Sequence, residues 1–149
     1  MTRVVAPDPD PPMSESTRDR AQALLDAHYP YGDVQVETAS PGTARLRMRI
    51  QARHLRLGGT VAGPALMALA DASVYLALQT EPAPMIDAVT SQLTIHFLRR
   101  PAARDIIVEA RILRLGRTLA VGEALLYSEG EDQPVAHATV TYALPRRGE

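Results

Sequence analysis

The 149-residue chain has no cysteine, no tryptophan and a single phenylalanine, Phe97. Without cysteine there is no disulfide, no zinc–thiolate centre and no cysteine nucleophile. A reducing compartment suits such a chain, and the cytoplasm is its expected location. Lysine and asparagine are missing too, so all 16 basic residues are arginines; the bias is read as one of coding rather than of function. The formal net charge is −1, which removes the strong positive excess that nucleic-acid binding usually needs. No apolar stretch is long and clean enough for a membrane span, and the N-terminus lacks the charged-then-apolar layout of a signal peptide. Neither nucleic acid nor membrane is an expected partner. With so few aromatics, a core of Ala, Val and Leu packs closely but has little aromatic anchoring. Self-association would be a natural way to bury more surface.

What is present divides into a proline-rich arm and one patterned domain, a length that suits a single core. Residues 1–13 hold the run Ala6-Pro7-Asp8-Pro9-Asp10-Pro11-Pro12, a proline density that favours an extended arm with no role in the fold. Ser14 is a candidate N-cap. The segment after it, to about His28, has Ala21, Leu24, Leu25 and His28 at three-and-four spacing, with Pro30 beyond its end. Strands are predicted over 34–39 and 43–50, joined by Ser40-Pro41-Gly42-Thr43. In the second, Ala44, Leu46, Met48 and Ile50 alternate with Thr43, Arg45, Arg47 and Arg49, the mark of a half-buried strand whose arginine row faces solvent. Leu57-Gly58-Gly59-Thr60 is a loop. Gly63-Pro64 opens a helix to about Gln79, and Glu81-Pro82-Ala83-Pro84 stops it. Further strands are predicted over 88–98, 106–115, 119–127 and 135–144. In the first of these, alternation sets Val89, Leu93, Ile95 and Phe97 against Thr90, Gln92, Thr94 and His96. In the third, Ala120, Gly122 and Ala124 make a face small enough for another layer to approach. Residues 146–149 read as a frayed tail. The order predicts one α+β domain over 14–145, an antiparallel sheet wrapped around a long central helix.

That helix carries the chemistry. From Gly63 to Leu78 it has no polar stripe, and a helix apolar all round is expected to be buried. Asp71 sits in its middle among Pro64, Met67, Ala68, Val74, Tyr75 and Leu78. A lone carboxylate is costly to bury unless it is paired, hydrogen-bonded or protonated. Asp71 is therefore either a reactive acid in an apolar cleft, suited to general-base or nucleophilic work, or an acid satisfied by a neighbouring backbone or arginine. The helix start adds a second element, because its unpaired N–H groups and partial positive charge can stabilise an oxyanion. Pro64 has no N–H, so the donors would be Gly63 and Ala65, with Ala62 a further possibility.

Gly59-Thr60-Val61-Ala62-Gly63-Pro64, Leu69-Ala70-Asp71, Ile95-His96-Phe97-Leu98-Arg99 and Leu115-Gly116-Arg117-Thr118 occur in the order and at the spacing of a known pattern. Over about residues 34–145 the chain resembles the PaaI-like hotdog-fold acyl-coenzyme A thioesterases. The resemblance implies a hotdog fold and a homodimer with two sites at its interface, such dimers often pairing into tetramers. It implies hydrolysis of an acyl-CoA thioester to free acid and CoA, with coenzyme A as part of the substrate and no other cofactor. Asp71 matches the general base or nucleophile, and Gly63 the backbone amide that polarises the thioester carbonyl. Thr90, or its neighbour Ser91, falls where some relatives place a hydroxyl that orients water; alternation lets only one of them face a given cleft. Ala62, Met67 and Tyr75 fall along the substrate, with Leu66 also expected in the acyl pocket. Arg99, Arg100, Arg117 and Thr118 fall where relatives contact the nucleotide, and arginine's planar fork suits its phosphates. Three positions depart from the pattern: Ala62 replaces a histidine, Pro64 a glycine, and Arg56 a loop amide, for which Arg56 would supply another donor.

The remaining candidates point nowhere firm. His28, His54, His96 and His137 lack metal-ligand spacing, so no metal is expected. Ser73 lies on a different helical face from Asp71, and Gly58-Gly59 lacks the spacing of a dinucleotide loop. Two alternatives to hydrolysis stay open: a non-catalytic acyl-CoA or small-ligand binding protein, and a hydratase, which would want a histidine near the helix start.

Overall fold

A computed structural model describes residues 15–29, 32–83 and 85–145. The proline arm, Ser14, Pro30 and the tail lie outside them. Within them run helix α1 (Glu15–His28), strands β1 (Val34–Ser40) and β2 (Thr43–Met48), helix α2 (Gly63–Gln79), and strands β3 (Val89–Phe97), β4 (Ile106–Leu115), β5 (Leu119–Ser128) and β6 (Ala136–Ala143). The six strands form one antiparallel sheet in the order β1-β2-β4-β5-β6-β3. The sheet wraps α2, which is the hotdog arrangement expected from the sequence.

The alternating strands send Leu46, Val108, Ala124, Leu126 and Val140 inward against Leu66, Leu69, Val74 and Leu78 of α2. Gly122 marks the closest approach: a Cβ there would lie 2.6 Å from Val74 Cγ1 and 3.0 Å from the Arg111 carbonyl oxygen. On the outer face the arginine row is tied into ion pairs. Arg45 meets Glu37 and Glu109, and Arg47 meets Glu37, Asp105 and Glu129.

Two expectations are corrected. First, α2 is not buried all round. Pro64, Met67 and Ala68 are exposed, and Met67 retains 39% of its surface. Leu66 points the other way, into the core. Second, alternation in β3 breaks at Ser91, where the register against β6 slips between Thr90 and Gln92. An extra residue in one strand reverses every side chain before it. Thr90, not Val89, therefore shares the inner face with Leu93 and Ile95.

The two sheet edges are treated differently. Along β1, α1 supplies side chains to the free backbone groups. Gln22 Nε2 donates to Val34 O (3.3 Å), Val36 N–H donates to Gln22 Oε1 (2.7 Å), and Arg18 Nε donates to Val36 O (3.0 Å). No element of the described residues covers the outer edge of β3.

Candidate active site

Asp71 projects from the middle of α2 towards the junction of β3 and β6. Register places Thr90 opposite Tyr142, and both hydroxyls reach the same carboxylate oxygen. Thr90 Oγ1 donates to Asp71 Oδ1 at 2.9 Å, and the Tyr142 hydroxyl makes a short contact with that oxygen while lying 2.8 Å from the Asp71 carbonyl. Oδ2 accepts no hydrogen bond, and no arginine pairs with the carboxylate, among the described residues. The side chain is half-buried and lines a cleft of about 330 Å³ with His28, Tyr29, Tyr75, Ile86, Ala88, Thr90 and Tyr142. Three of the chain's five tyrosines thus surround one acid. Larger depressions, of about 570 Å³ beside α1 and β1 and 420 Å³ on the outer sheet face, hold neither Asp71 nor a helix start.

The cleft's electrostatics follow from the acid. Burial first, then the negative charge of Asp71, pushes the Tyr29 phenol up to about 12. Burial and the hydrogen bond to Asp71 hold the Tyr142 phenol far above the ordinary value of 10.0, so it stays a donor. Burial, and then Asp87, raises Tyr75. Its hydroxyl donates to the Ile86 carbonyl at 2.9 Å, and its ring meets His28 edge-on at 5.4 Å.

The helix start is narrower as a donor site than expected. Ala62 N–H is taken by the His54 carbonyl (2.7 Å) and Ala65 N–H by the Ala62 carbonyl (3.1 Å). Gly63 is left as the first-turn residue whose N–H finds no acceptor among the described residues. The Phe97 ring lies over it, 3.3 Å from where a Cβ would stand. The preceding loop is clamped from below. Gln51 N–H donates to His54 Nδ1 (2.9 Å), leaving Nε2 against Asp33 Oδ2 at 2.6 Å, and Arg53 pairs with the same oxygen at 2.6 Å. His54, unassigned from the sequence, is thus part of the support beneath the helix start.

The other expected positions spread out. Tyr75 lines the cleft with Asp71 and Thr90. Ser91 points away, its hydroxyl donating to the Thr141 carbonyl (3.3 Å). Met67 stands on the exposed face of α2, outside the cleft. Arg99 is exposed and donates to the Pro134 carbonyl (2.9 Å). Arg100 reaches toward Gly58, and the exposed Arg56 lies in that same loop. Arg117 and Thr118 occupy the exposed β4–β5 turn. None of Arg56, Arg99, Arg100, Arg117 and Thr118, nor Ala62, touches the Asp71 cleft of its own chain. The sequence reading missed Tyr142, Tyr29 and His28, which are far from Asp71 in sequence and carry no motif. No group of three or more acidic or histidine side chains is placed to hold a metal, and no helix is long and apolar enough to cross a membrane, among the described residues.

A sheet wrapped on a helix that bears one acid and opens on a free glycine amide defines a class, the hotdog thioester hydrolases. Comparison with known proteins agrees. The Thioesterase superfamily profile matches residues 58–135, and the chain belongs to that family. It is similar to a candidate esterase of Halobacterium salinarum, at 33% identity over 68% of this chain and 72% of the relative. A candidate thioesterase structure from Silicibacter superposes with a TM-score of 0.77 at 42% identity, covering 86% of this chain and 91% of that one. The phenylacetic acid degradation protein PaaI of Thermus thermophilus, in a mutant structure, gives a TM-score of 0.68 at 28% identity over 83% and 99% of the two chains.

Proposed function

We propose that the protein hydrolyses an acyl-CoA thioester, with Asp71 as the reacting acid and Gly63 N–H as the oxyanion donor. The observation that carries this is the carboxylate itself: one oxygen is held by two hydroxyls and the other is left open on an aromatic cleft. Oδ2 takes the proton of a water that attacks the thioester carbonyl, or attacks that carbon itself and is freed by water afterwards. In the first route the C–S bond breaks and the proton held by Asp71 passes to sulfur, so CoA leaves as the thiol. In the second CoA leaves as the thiolate, and the water that then cleaves the acyl–Asp71 anhydride releases the acid, its proton balancing the thiolate. Thr90 keeps the carboxylate turned toward the reacting carbon. A well-placed backbone donor lowers such a barrier by roughly 3 kcal/mol. Coenzyme A enters as part of the substrate, and no further cofactor takes part. The reaction is a cytoplasmic one.

One chain does not complete this site. Asp71 and Gly63 stand eight residues apart on one helix, about 12 Å along its axis at 1.5 Å per residue. A base and an oxyanion donor must each come within about 3 Å of neighbouring atoms of one thioester. The second group therefore comes from a second copy. The uncovered edge of β3 supplies the contact, flanked by exposed Val89 (65%), Phe97 (53%) and Leu98 (50%). Antiparallel pairing centred on Leu93 sets Val89 of one chain beside Phe97 of the other. Each Asp71 cleft then faces the other chain's helix start, with Arg56, Arg99 and Arg100 on the side where the CoA phosphates would lie.

The test is release of free thiol from a panel of acyl-CoA esters. Asp71→Asn is expected to lose roughly 10²–10⁴-fold in kcat, the usual worth of a positioned general base. Undiminished hydrolysis by that variant across the panel would remove Asp71 from the chemistry.

A further inference from the structure

We infer that Tyr142 is a positioning residue, the buried group that fixes which Asp71 oxygen is free to react. The inference rests on the assignment of Asp71 as the reacting acid. Tyr142 stands near the end of β6 and keeps 2% of its surface. Register against Thr90 on one side and Ala120 on the other holds its backbone, and its ring lies 6.1 Å from that of Tyr75. Its hydroxyl touches two atoms of a single residue, the Asp71 carbonyl oxygen and Oδ1. That bridge ties the carboxylate to its own helix backbone and so restricts rotation of the side chain.

A purely architectural role would be met at the carbonyl oxygen, 2.8 Å away, which alone would satisfy a buried phenol. The phenol has one proton to give, and its shorter contact is with Oδ1, the charged and therefore stronger acceptor. The proton directed there occupies one carboxylate oxygen and leaves Oδ2 as the basic one. Thr90 shares the task from an exposed position where water can replace it, whereas Tyr142 is shielded. Its phenol is also held in the protonated form by burial and by the charge of Asp71, so the donor persists through the working pH range.

The experiment compares thiol release by wild type, Asp71→Asn and Tyr142→Phe, with melting curves to confirm folding. Tyr142→Phe keeps the ring and removes one hydrogen bond to a charged acceptor, a loss of roughly 10- to 100-fold in kcat. KM should stay within about twofold, because the phenol acts on the acid and not on substrate binding. A structural role would lower the melting point and leave the kcat of the folded protein within about twofold of wild type. Should Tyr142→Phe fail to fold, a ring-fluorinated tyrosine at position 142 keeps shape and donor but has a more acidic phenol. As a stronger donor to Oδ1 it draws more charge from the carboxylate, so kcat at neutral pH should change by more than about twofold while KM stays within about twofold. Wild-type kcat in Tyr142→Phe, alongside an inactive Asp71→Asn, would overturn the inference and leave the proposed reaction standing. Wild-type kcat in the folded fluorinated protein would overturn it too. Full activity in Asp71→Asn is the separate pattern in which the reaction assignment and this inference fall together.

Discussion

Replacing Thr90 by valine removes one hydroxyl and little else. The methyl branch and the strand preference of a β-branched residue are kept, so the sheet edge should be undisturbed. What is lost is a 2.9 Å hydrogen bond to Asp71 Oδ1. Bonds to a charged acceptor contribute about 1.5–3 kcal/mol. Thr90 is exposed, so water competes and the lower end applies, near 1.5 kcal/mol. That corresponds to about a tenfold fall in kcat/KM. The remaining donor on the same oxygen, Tyr142, caps the loss there. Removing both hydroxyls should then cost more than the two single losses multiplied together, because the carboxylate is free to turn only when neither remains. Steady-state thiol release from an acyl-CoA ester reads the effect, and Thr90→Ser, which keeps the hydroxyl, should recover most of it. The reasoning fails if Thr90→Val stays within twofold of wild type, or if Thr90→Ser is as slow as Thr90→Val.

Other substitutions test the frame around the site. Gly122→Ala drives a Cβ into Val74 and the Arg111 backbone; overpacking of this kind costs about 2 kcal/mol, a fall in Tm of roughly 4–8 °C by calorimetry. The hydrogen bonds from His137 and then Arg111 hold the Glu123 carboxyl below its ordinary 4.5. Its stabilisation is therefore present above that value and is lost as pH falls through the lowered one. Denaturant melts should accordingly show Glu123→Gln weaker than wild type at pH 7 and equal to it once both are well below pH 4. Gln22→Ala strips the plug from the β1 edge, and sedimentation should show concentration-dependent association beyond the wild-type state as that edge becomes free to pair.

The helix carrying Asp71 was legible because its ends are marked by Gly63-Pro64 and by the prolines after Gln79, and because one acid in an apolar helix is conspicuous. Strands β2, β4 and β5 were legible from alternation with period two, and Gly122 from the small face it shares with Ala120 and Ala124. The bulge at Ser91 was not, since one inserted residue changes no composition and yet reverses the face on which Thr90 lies. Nor was Tyr142: its link to Asp71 spans 71 residues and exists only through the β3–β6 register. The first-turn donors narrowed from three to one because Ala62 and Ala65 find acceptors in the loop and the cap, an outcome of tertiary geometry that no local pattern encodes. The exposed face of α2 departs from the periodicity argument for a related reason. A helix apolar on every side must be covered, but the pattern does not say whether its own chain does the covering.

Complementation between two inactive variants probes the shared site most directly. Gly63→Pro removes the oxyanion N–H, and Asp71→Asn removes the acid. Each alone should be nearly inactive. Unfolded together and refolded at equal ratio, half the dimers should be mixed, and each mixed dimer should carry one intact site with Asp71 from one chain and Gly63 from the other. Symmetry then sets the recovery at about a quarter of wild-type turnover. No recovery in a mixture shown by mass spectrometry to contain mixed dimers would contradict a site built from two copies.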